Sequence, residues 1–355
     1  MGVSQNPELA RRRIRTRRAA LLLATVVFGA LFAFALSRVN LPRIGHALIT
    51  ATPGWVALSF LLMAASLVLR SVSWDQTLRA ALPDTAISWP PVLRATMIGV
   101  MASALVPARI GEPTRVLVLT RRLDGPARRL LPVVAGTVFS QTLINLLALA
   151  VLAVVTFTGV PLLHGHLAGI EAALALPVAV CVLVLVGPRL LVLARRSRSL
   201  RVSAAAASVT RMLALARRGL TVFASPRYGF SAVAVQLLAW AFQWLACYTV
   251  LLALGLQSEA GLGAAAAILL AINISAILPA TPSNVGVFQA ACLVVLAAYG
   301  VGSGPGLAYG IILQAVEVLT ALALGVPALL AEGLSLRDIR SGADTGEGSA
   351  GERAE

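Results

Sequence analysis

A charged and interrupted stretch inside otherwise apolar sequence constrains this chain more than any other feature. Residues 103–115 read SALVPARIGEPTR. Charged side chains and helix breakers alternate there, as Pro107, Arg109, Gly111, Glu112, Pro113 and Arg115. Proline interrupts a helix, and glycine lets the backbone turn. Because such backbone and charge are tolerated at membrane depth only beside protein or a water-filled cavity, we expect a broken helix that lines a cavity.

A second stretch repeats the first. Residues 103–108 (SALVPA) return as residues 275–280 (SAILPA), and TPSNVG follows as residues 281–286. The helix breakers of this second stretch are Pro279, Pro282 and Gly286. Paired interruptions in two halves of a membrane protein are typical of secondary transporters. We therefore predict an internal duplication.

Composition places the chain among polytopic helical membrane proteins. It has 355 residues, of which 59% are hydrophobic and 12% charged. All 29 basic residues are arginines, and the net charge is +15. In a soluble protein this excess would suggest nucleic acid, but here we interpret it as arginine flanking the cytoplasmic ends of spans, and we expect no nucleic-acid partner. The three cysteines lie in apolar runs and predict no disulfide framework.

The predicted fold is an all-α polytopic membrane protein with six full spans and two broken helical hairpins arranged as an inverted repeat. The predicted spans are residues 19–36, 54–72, 131–157, 169–193, 228–254 and 305–331. The hairpins cover residues 92–120 and 262–300. Their arms are shorter than the roughly 20 residues that cross a bilayer, so we expect them to re-enter the membrane.

The arrangement of these segments predicts three regions and a sidedness. Residues 1–18 form a basic cytoplasmic segment, residues 19–331 the transmembrane domain with halves 19–157 and 169–331, and residues 332–355 a disordered cytoplasmic tail. Each half crosses the membrane three times, and an odd number of crossings ends on the opposite side of the membrane. The second half therefore starts from that side and is inverted relative to the first. Pro107 and Pro279 should then approach each other near the midplane, across a pseudo-twofold axis in the membrane plane. We expect a plasma-membrane location with both termini cytoplasmic.

At the two hairpins the chain resembles the lysylphosphatidylglycerol synthase transmembrane-region family. The likeness rests on residues 105–112 with Arg115, on residues 278–286 with Gln289, and on residues 299–300. It implies a flippase-like domain in its stand-alone form, without the soluble aminoacyl-transferring domain. Where the family often has charged side chains, this chain has Ser140, Gln141, Asn145, Gln289 and Gln314.

Arg109, Glu112 and Arg115 are the main candidates for substrate contact. The planar guanidinium of arginine offers five donors suited to phosphate, and Glu112 supplies a counter-charge. An alternative is that the three residues form a structural ion-pair clamp that holds the hairpin.

Polar side chains elsewhere complete the predicted site. Asn284 and Gln289 lie at the second hairpin, and Glu317 lies in the last span. Gln141, Asn145 and Gln314 are possible lining residues. The alternative for the amides is that they satisfy freed backbone groups or join helices by hydrogen bonds.

These residues favour transport over catalysis. No nucleophile elbow, phosphate loop or zinc-protease helix is present, and we expect no catalytic residue, cofactor or metal. The predicted function is a lipid transporter or flippase for an anionic phospholipid or a polyprenyl-phosphate-linked lipid. The alternatives are a non-transporting accessory protein for a membrane-associated glycosyltransferase and an integral lipid-modifying enzyme.

Cysteine accessibility tests the predicted sidedness. A cysteine at Ser199 should react only with reagent on the cytoplasmic side, because the segment around it is the most basic loop of the chain. A cysteine at Gly165 should react only from outside. Labelling of either position from the opposite side would contradict the topology.

Overall fold

The computed structural model describes residues 49–83, 85–105, 111–159, 221–276 and 285–333. Over these ranges the secondary structure is helical, and no strand is present. Several predicted features lie outside the described residues. These are the segment 1–18, the spans 19–36 and 169–193, residues Pro107, Arg109, Pro279, Pro282 and Asn284, and the tail beyond residue 333.

The described helices follow the same order on each side of the undescribed stretch 160–220. The earlier set comprises α1 (Pro53–Ala81), α2 (Trp89–Leu105), α3 (Gly111–Thr120) and α4 (Ala127–Gly159). A single turn, α5 (Thr221–Ala224), precedes the later set, which comprises α6 (Pro226–Ala253), α7 (Leu262–Ser275), α8 (Val287–Ala298) and α9 (Ser303–Ala331). Each set therefore consists of a long helix, two short helices and a second long helix.

The four long helices are apolar enough and long enough to cross a membrane. They contain 28 to 33 residues each, which at about 1.5 Å per residue exceeds a hydrocarbon core of about 30 Å. They coincide with four of the six predicted spans, those at 54–72, 131–157, 228–254 and 305–331. The chain is therefore a helical integral membrane protein.

Helix α1 continues beyond the predicted end of the second span at residue 72, as far as Ala81. Trp74 is fully buried and Asp75 is 4% exposed. The Trp74 indole nitrogen donates to Thr137 Oγ1 at 3.1 Å, and Asp75 pairs with Arg79 at 2.6 Å. Trp74 and Asp75 thus lie inside the protein with partners on α4 and α1, although Asp75 Oδ1 has none among the described residues.

A seam of small residues joins α1 to α6. Ser59 Oγ donates to the Ala246 carbonyl and Ser73 Oγ to the Ala232 carbonyl, both at 2.9 Å. The later residue of α1 meets the earlier residue of α6, so the helices are antiparallel. Small residues recur at every seventh position along this serine–alanine seam: Ser59, Ser66 and Ser73 on α1, and Ala232, Ala239 and Ala246 on α6. All six are at most 1% exposed, as expected where two backbones pack closely in a membrane.

Close packing of α2 against α3 corrects the predicted hairpin breaks. Gly111 is the first residue of α3 and is buried, and a Cβ there would collide with the Ser103 side chain and the Gly99 backbone. Pro113 lies in the first turn of α3, where proline costs no hydrogen bond. The interruption between α2 and α3 therefore ends before both residues, and Gly111 serves close approach rather than a turn.

The outer helices interlock the two sets. Helix α2 packs on α9, and α7 packs on α4. Gly325 of α9 lies against Met101 of α2, which leaves no space for a side chain at residue 325. Each short hairpin is thereby held by a long helix of the other set.

The end of α9 is fastened by ion pairs. Glu332, the first residue of the predicted tail, follows α9 directly and its side chain is only 3% exposed. Its two carboxylate oxygens accept from Arg94 of α2 at 2.7 Å and from Arg122 after α3 at 2.6 Å. The position of Glu332 is thus set by side chains of the first hairpin.

Substitution in the serine–alanine seam tests the importance of this contact. Ala239→Leu should lower the thermal stability of the protein in detergent, since overpacking a tight interface costs about 1–3 kcal/mol. Ala234→Leu, on the exposed side of the same helix, is the matched control and should change stability little. Equal melting temperatures for the two variants would contradict the packing role of the seam.

Candidate functional site

Polar side chains from six helices meet between the long helices. We call this group the polar cluster. Its members are Arg70, Trp74, Glu112, Arg115, Gln141, Asn145, Gln236, Trp240, Gln243, Gln289, Gln314 and Glu317. It contains every predicted substrate-contact or lining residue that the structure describes, together with five residues that the sequence analysis did not select: Arg70, Trp74, Gln236, Trp240 and Gln243.

Arg115 is the most enclosed charge of the first hairpin. It is 8% exposed and lies one turn into α3, where the close approach of Gly99 positions its stem. Its Nη2 pairs with Glu112 at 2.5 Å, and its guanidinium carbon lies 4.7 Å from the Trp74 ring centroid. The Glu112 side chain is 56% exposed. The predicted ion pair is therefore present, but only its arginine is buried.

Gln141 connects the two arginines of the cluster. Its Oε1 accepts from Arg115 Nη1 at 2.8 Å, and its Nε2 donates to the Arg70 carbonyl at 3.0 Å. The side chain is 6% exposed, so both bonds are shielded from water. The predicted lining role of Gln141 thus has a defined geometry, in which it fixes Arg115 relative to α1.

Arg70 is the principal residue that sequence reasoning missed, since it lies two residues before the predicted end of the span 54–72. It lies in the middle of α1, where Nη2 donates to Gln243 Oε1 and the guanidinium faces the Trp240 ring at 5.8 Å. A signal was available in the sequence. Polar residues recur on one face of α1 at helical spacing: Ser59, Ser66, Arg70, Ser73 and Thr77.

Asn145 belongs to a separate branch of the cluster. Its Oδ1 accepts from Gln236 Nε2 and from the Trp240 indole nitrogen, both at 3.0 Å. These bonds join α4 to α6 and orient the Trp240 ring beside Arg70. Asn145 therefore acts on Arg70 through tryptophan and does not contact Arg115.

The second hairpin contributes an amide pair. Gln289 Oε1 accepts from the Gly286 backbone N–H at 2.6 Å, and its Nε2 donates to Gln314 Oε1. Gly286 has φ of +87°, a conformation that favours glycine, and it starts α8. The predicted residues Gln289 and Gln314 are thus brought together, with Gln289 also capping its own helix.

Glu317 lies one turn beyond Gln314 on α9 and is partly exposed. In the described part of the chain no hydrogen bond or ion pair within 4.0 Å engages its carboxylate. Arg70 is the opposite charge that acts on it electrostatically. Arg70 therefore interacts with charges from both sets of helices, because Arg115 and Glu112 of α3 also act on it.

Several buried polar atoms of this region have no partner among the described residues. They are Ser66 Oγ, Arg70 Nε, Arg115 Nε, Ser140 Oγ and Gln236 Oε1. Buried polar groups are usually satisfied, so a group of unsatisfied ones marks a place where water or a ligand is expected. Among the same residues no group of three potential metal-ligating side chains occurs.

Long apolar helices around a charged interior define a polytopic membrane protein with an enclosed polar site. The family model described as lysylphosphatidylglycerol synthase TM region matches residues 21–325. The chain belongs to this family, as its two hairpin motifs predicted. Comparison with curated proteins gave no significant match.

The bridge at Gln141 can be tested by substitution. Gln141→Leu should destabilise the protein by about 1–3 kcal/mol, because it leaves a buried arginine donor and a buried carbonyl unpaired. Thr142→Val, at the exposed neighbouring position on α4, is the control and should have little effect. Thermal unfolding in detergent measures both. A Gln141→Leu variant as stable as wild type would exclude the bridge as a structural element.

Proposed function

We propose that this protein is a lipid transporter that moves an anionic phospholipid or a polyprenyl-phosphate-linked lipid between leaflets. One observation carries the proposal. Arg70 and Arg115 lie in the membrane interior, and each has a buried Nε–H without a partner among the described residues. Phosphate is the ligand that best matches the fork of an arginine, because it accepts two parallel hydrogen bonds.

The surroundings of both arginines suit recognition of a phosphate group. Each guanidinium faces a tryptophan ring, Trp240 for Arg70 and Trp74 for Arg115. Such stacking fixes the plane of the guanidinium and uses none of its N–H groups. Both arginines therefore keep donors for a ligand while their orientation is set by the protein.

An internal duplication supports transport. Among the described helices, the larger contacts occur in matching pairs. Within the sets, α1–α2 matches α6–α7, α2–α3 matches α7–α8, α3–α4 matches α8–α9, and α1–α4 matches α6–α9. Between the sets, α1–α9 matches α6–α4, and α2–α9 matches α7–α4. The contact between α1 and α6 is its own counterpart. This is the packing expected of two repeats related by a twofold axis.

The repeats are inverted in this proposal. Helices α1 and α6 correspond in order, and they run antiparallel along the serine–alanine seam. A twofold axis that exchanges antiparallel helices is perpendicular to them, and so lies in the membrane plane. Arg70 and Gln243 are 173 residues apart and hydrogen-bond to each other. The axis therefore passes close to the polar cluster, as it does at the substrate sites of inverted-repeat transporters.

The short hairpins repeat the same contact. Arg115 of α3 bonds Gln141 of α4, and Gln289 of α8 bonds Gln314 of α9. The hairpin helices contain 17 and 10 residues in the first set and 14 and 12 in the second. Most are shorter than a spanning helix, which favours re-entrant pairs over full spans. Six full spans, with both termini in the cytoplasm and a plasma-membrane location, complete this topology.

Arg109 and Asn284 remain proposed contacts of the same site. The chain places Arg109 between α2 and α3, and Asn284 between α7 and α8. We propose no catalytic role for any residue of the cluster. A non-transporting accessory protein would share the binding chemistry, and vesicles that contain only purified protein separate the two: transport of labelled anionic lipid supports a transporter, while binding without transport supports the accessory role.

Lysine substitution tests phosphate recognition. Anionic lipid should raise the melting temperature of wild type in detergent, and should raise it less for Arg70→Lys and Arg115→Lys, because lysine keeps the charge and loses the bidentate fork. Arg121→Lys, at an exposed position after α3, is the control and should respond as wild type. Equal lipid-induced shifts in all four proteins would mean that these arginines do not bind the phosphate.

A further inference from the structure

We propose that Glu317 is a proton-binding site and that one proton accompanies each anionic lipid into the polar cluster. This inference rests on the proposed function and adds the ion that is coupled to it. It follows from the charges of the cluster and from the different ways in which its two carboxylates are held.

The described charges of the cluster are balanced. Arg70 and Arg115 are opposed by Glu112 and Glu317, while Asp75 and Arg79 form their own pair at 2.6 Å toward the end of α1. A phosphodiester group adds one negative charge. In an interior shielded from water an uncompensated charge is costly, so the complex favours the binding of a cation or a proton.

The two carboxylates are held differently. Glu112 is bound directly to Arg115 at 2.5 Å, and its side chain is 56% exposed, so it has a counter-charge of its own. Glu317 has no direct ion pair within the described chain, and it depends on Arg70 at longer range. A phosphate that binds Arg70 takes over this counter-charge, which leaves Glu317 as the group to be neutralised.

The other groups around Glu317 cannot fulfil this role. Cys247 of α6, Cys292 of α8 and Tyr309 of α9 lie near it, and because a thiol or a phenol ordinarily carries its proton at neutral pH, none of them can take up another. Helix α1 contributes Arg70. Helix α2 meets α9 further along, where Met101 lies against Gly325 and Arg94 pairs with Glu332. Among the described carboxylates of the polar cluster, Glu317 is therefore the one without a direct ion pair, and the one that the arriving phosphate leaves to be neutralised.

Proton uptake by the wild-type protein is the direct test. Purified protein in weakly buffered detergent is mixed with dioctanoyl phosphatidylglycerol, and a pH indicator follows the solution while calorimetry follows binding. We expect uptake of up to about one proton per bound lipid, and an apparent affinity that falls as the pH rises by up to about tenfold per pH unit, as linkage requires. The phosphodiester keeps its charge over the pH range of the experiment, so it does not contribute to the proton uptake.

Two variants assign the proton to its residue. Glu317→Gln is a neutral near-isostere, so it should bind the lipid without proton uptake and with an affinity independent of pH. Glu259→Gln, in the exposed turn between α6 and α7, is the control and should retain both the uptake and the pH dependence. Uptake that persists in Glu317→Gln would overturn the assignment.

The outcomes separate this inference from the proposed function. Binding by wild type without proton uptake and without pH dependence would overturn proton coupling and leave lipid recognition intact, as expected if Arg109 supplies the missing positive charge. Absence of lipid binding by wild type would overturn both proposals. The wild-type measurement decides whether a proton accompanies the lipid even if Glu317→Gln fails to fold.

Discussion

The close antiparallel contact between α1 and α6 is the constraint on which the rest of the structure depends. Small residues at every seventh position bring the two backbones together, and two serine hydroxyls bond carbonyls across the contact. Larger side chains beside this seam are then enclosed between helices rather than exposed to lipid. Arg70, Trp240 and Gln243 occupy such positions, so the contact that packs the helices also creates the place in which charge is tolerated.

Each arginine of the interior is incompletely satisfied. Arg115 has a carboxylate, an amide and a tryptophan face, and Arg70 has an amide and a tryptophan face, yet the Nε–H of each has no partner in the part of the chain that the structure describes. A buried donor without a partner costs about 1–3 kcal/mol. A fold selected for stability alone would place an acceptor there. The arrangement is understandable if the missing acceptor belongs to a ligand, since functional sites are the places where buried polar groups are left without hydrogen-bond partners from the protein.

Much of this fold could be predicted from hydrophobic length, but the composition of the site could not. Apolar runs located the four long helices, and short arms located both hairpins. Arg70 was missed because a charge after an apolar run resembles a helix end, and only the tertiary partner Gln243 shows otherwise. Pro113 was misread because proline breaks a helix interior and is tolerated in a first turn. The amide pairs depend on the register between helices, which one-dimensional spacing does not specify.

Electrostatics near the proposed twofold axis explains why the two halves differ in charge. Residues 173 apart meet there, as the bond between Arg70 and Gln243 illustrates. In an exact duplicate an arginine would face its own copy, and two like charges about 4 Å apart repel by about 4 kcal/mol near a protein surface and by more in the interior. Replacing one copy by glutamine removes the repulsion and supplies an acceptor. Among the described residues of the polar cluster, the cations Arg70 and Arg115 belong to the earlier set of helices, and Glu317, the carboxylate without a direct ion pair, belongs to the later set. An anionic ligand bound between them would therefore act on both halves at once, which is the requirement for one ligand to bias the movement of one repeat against the other.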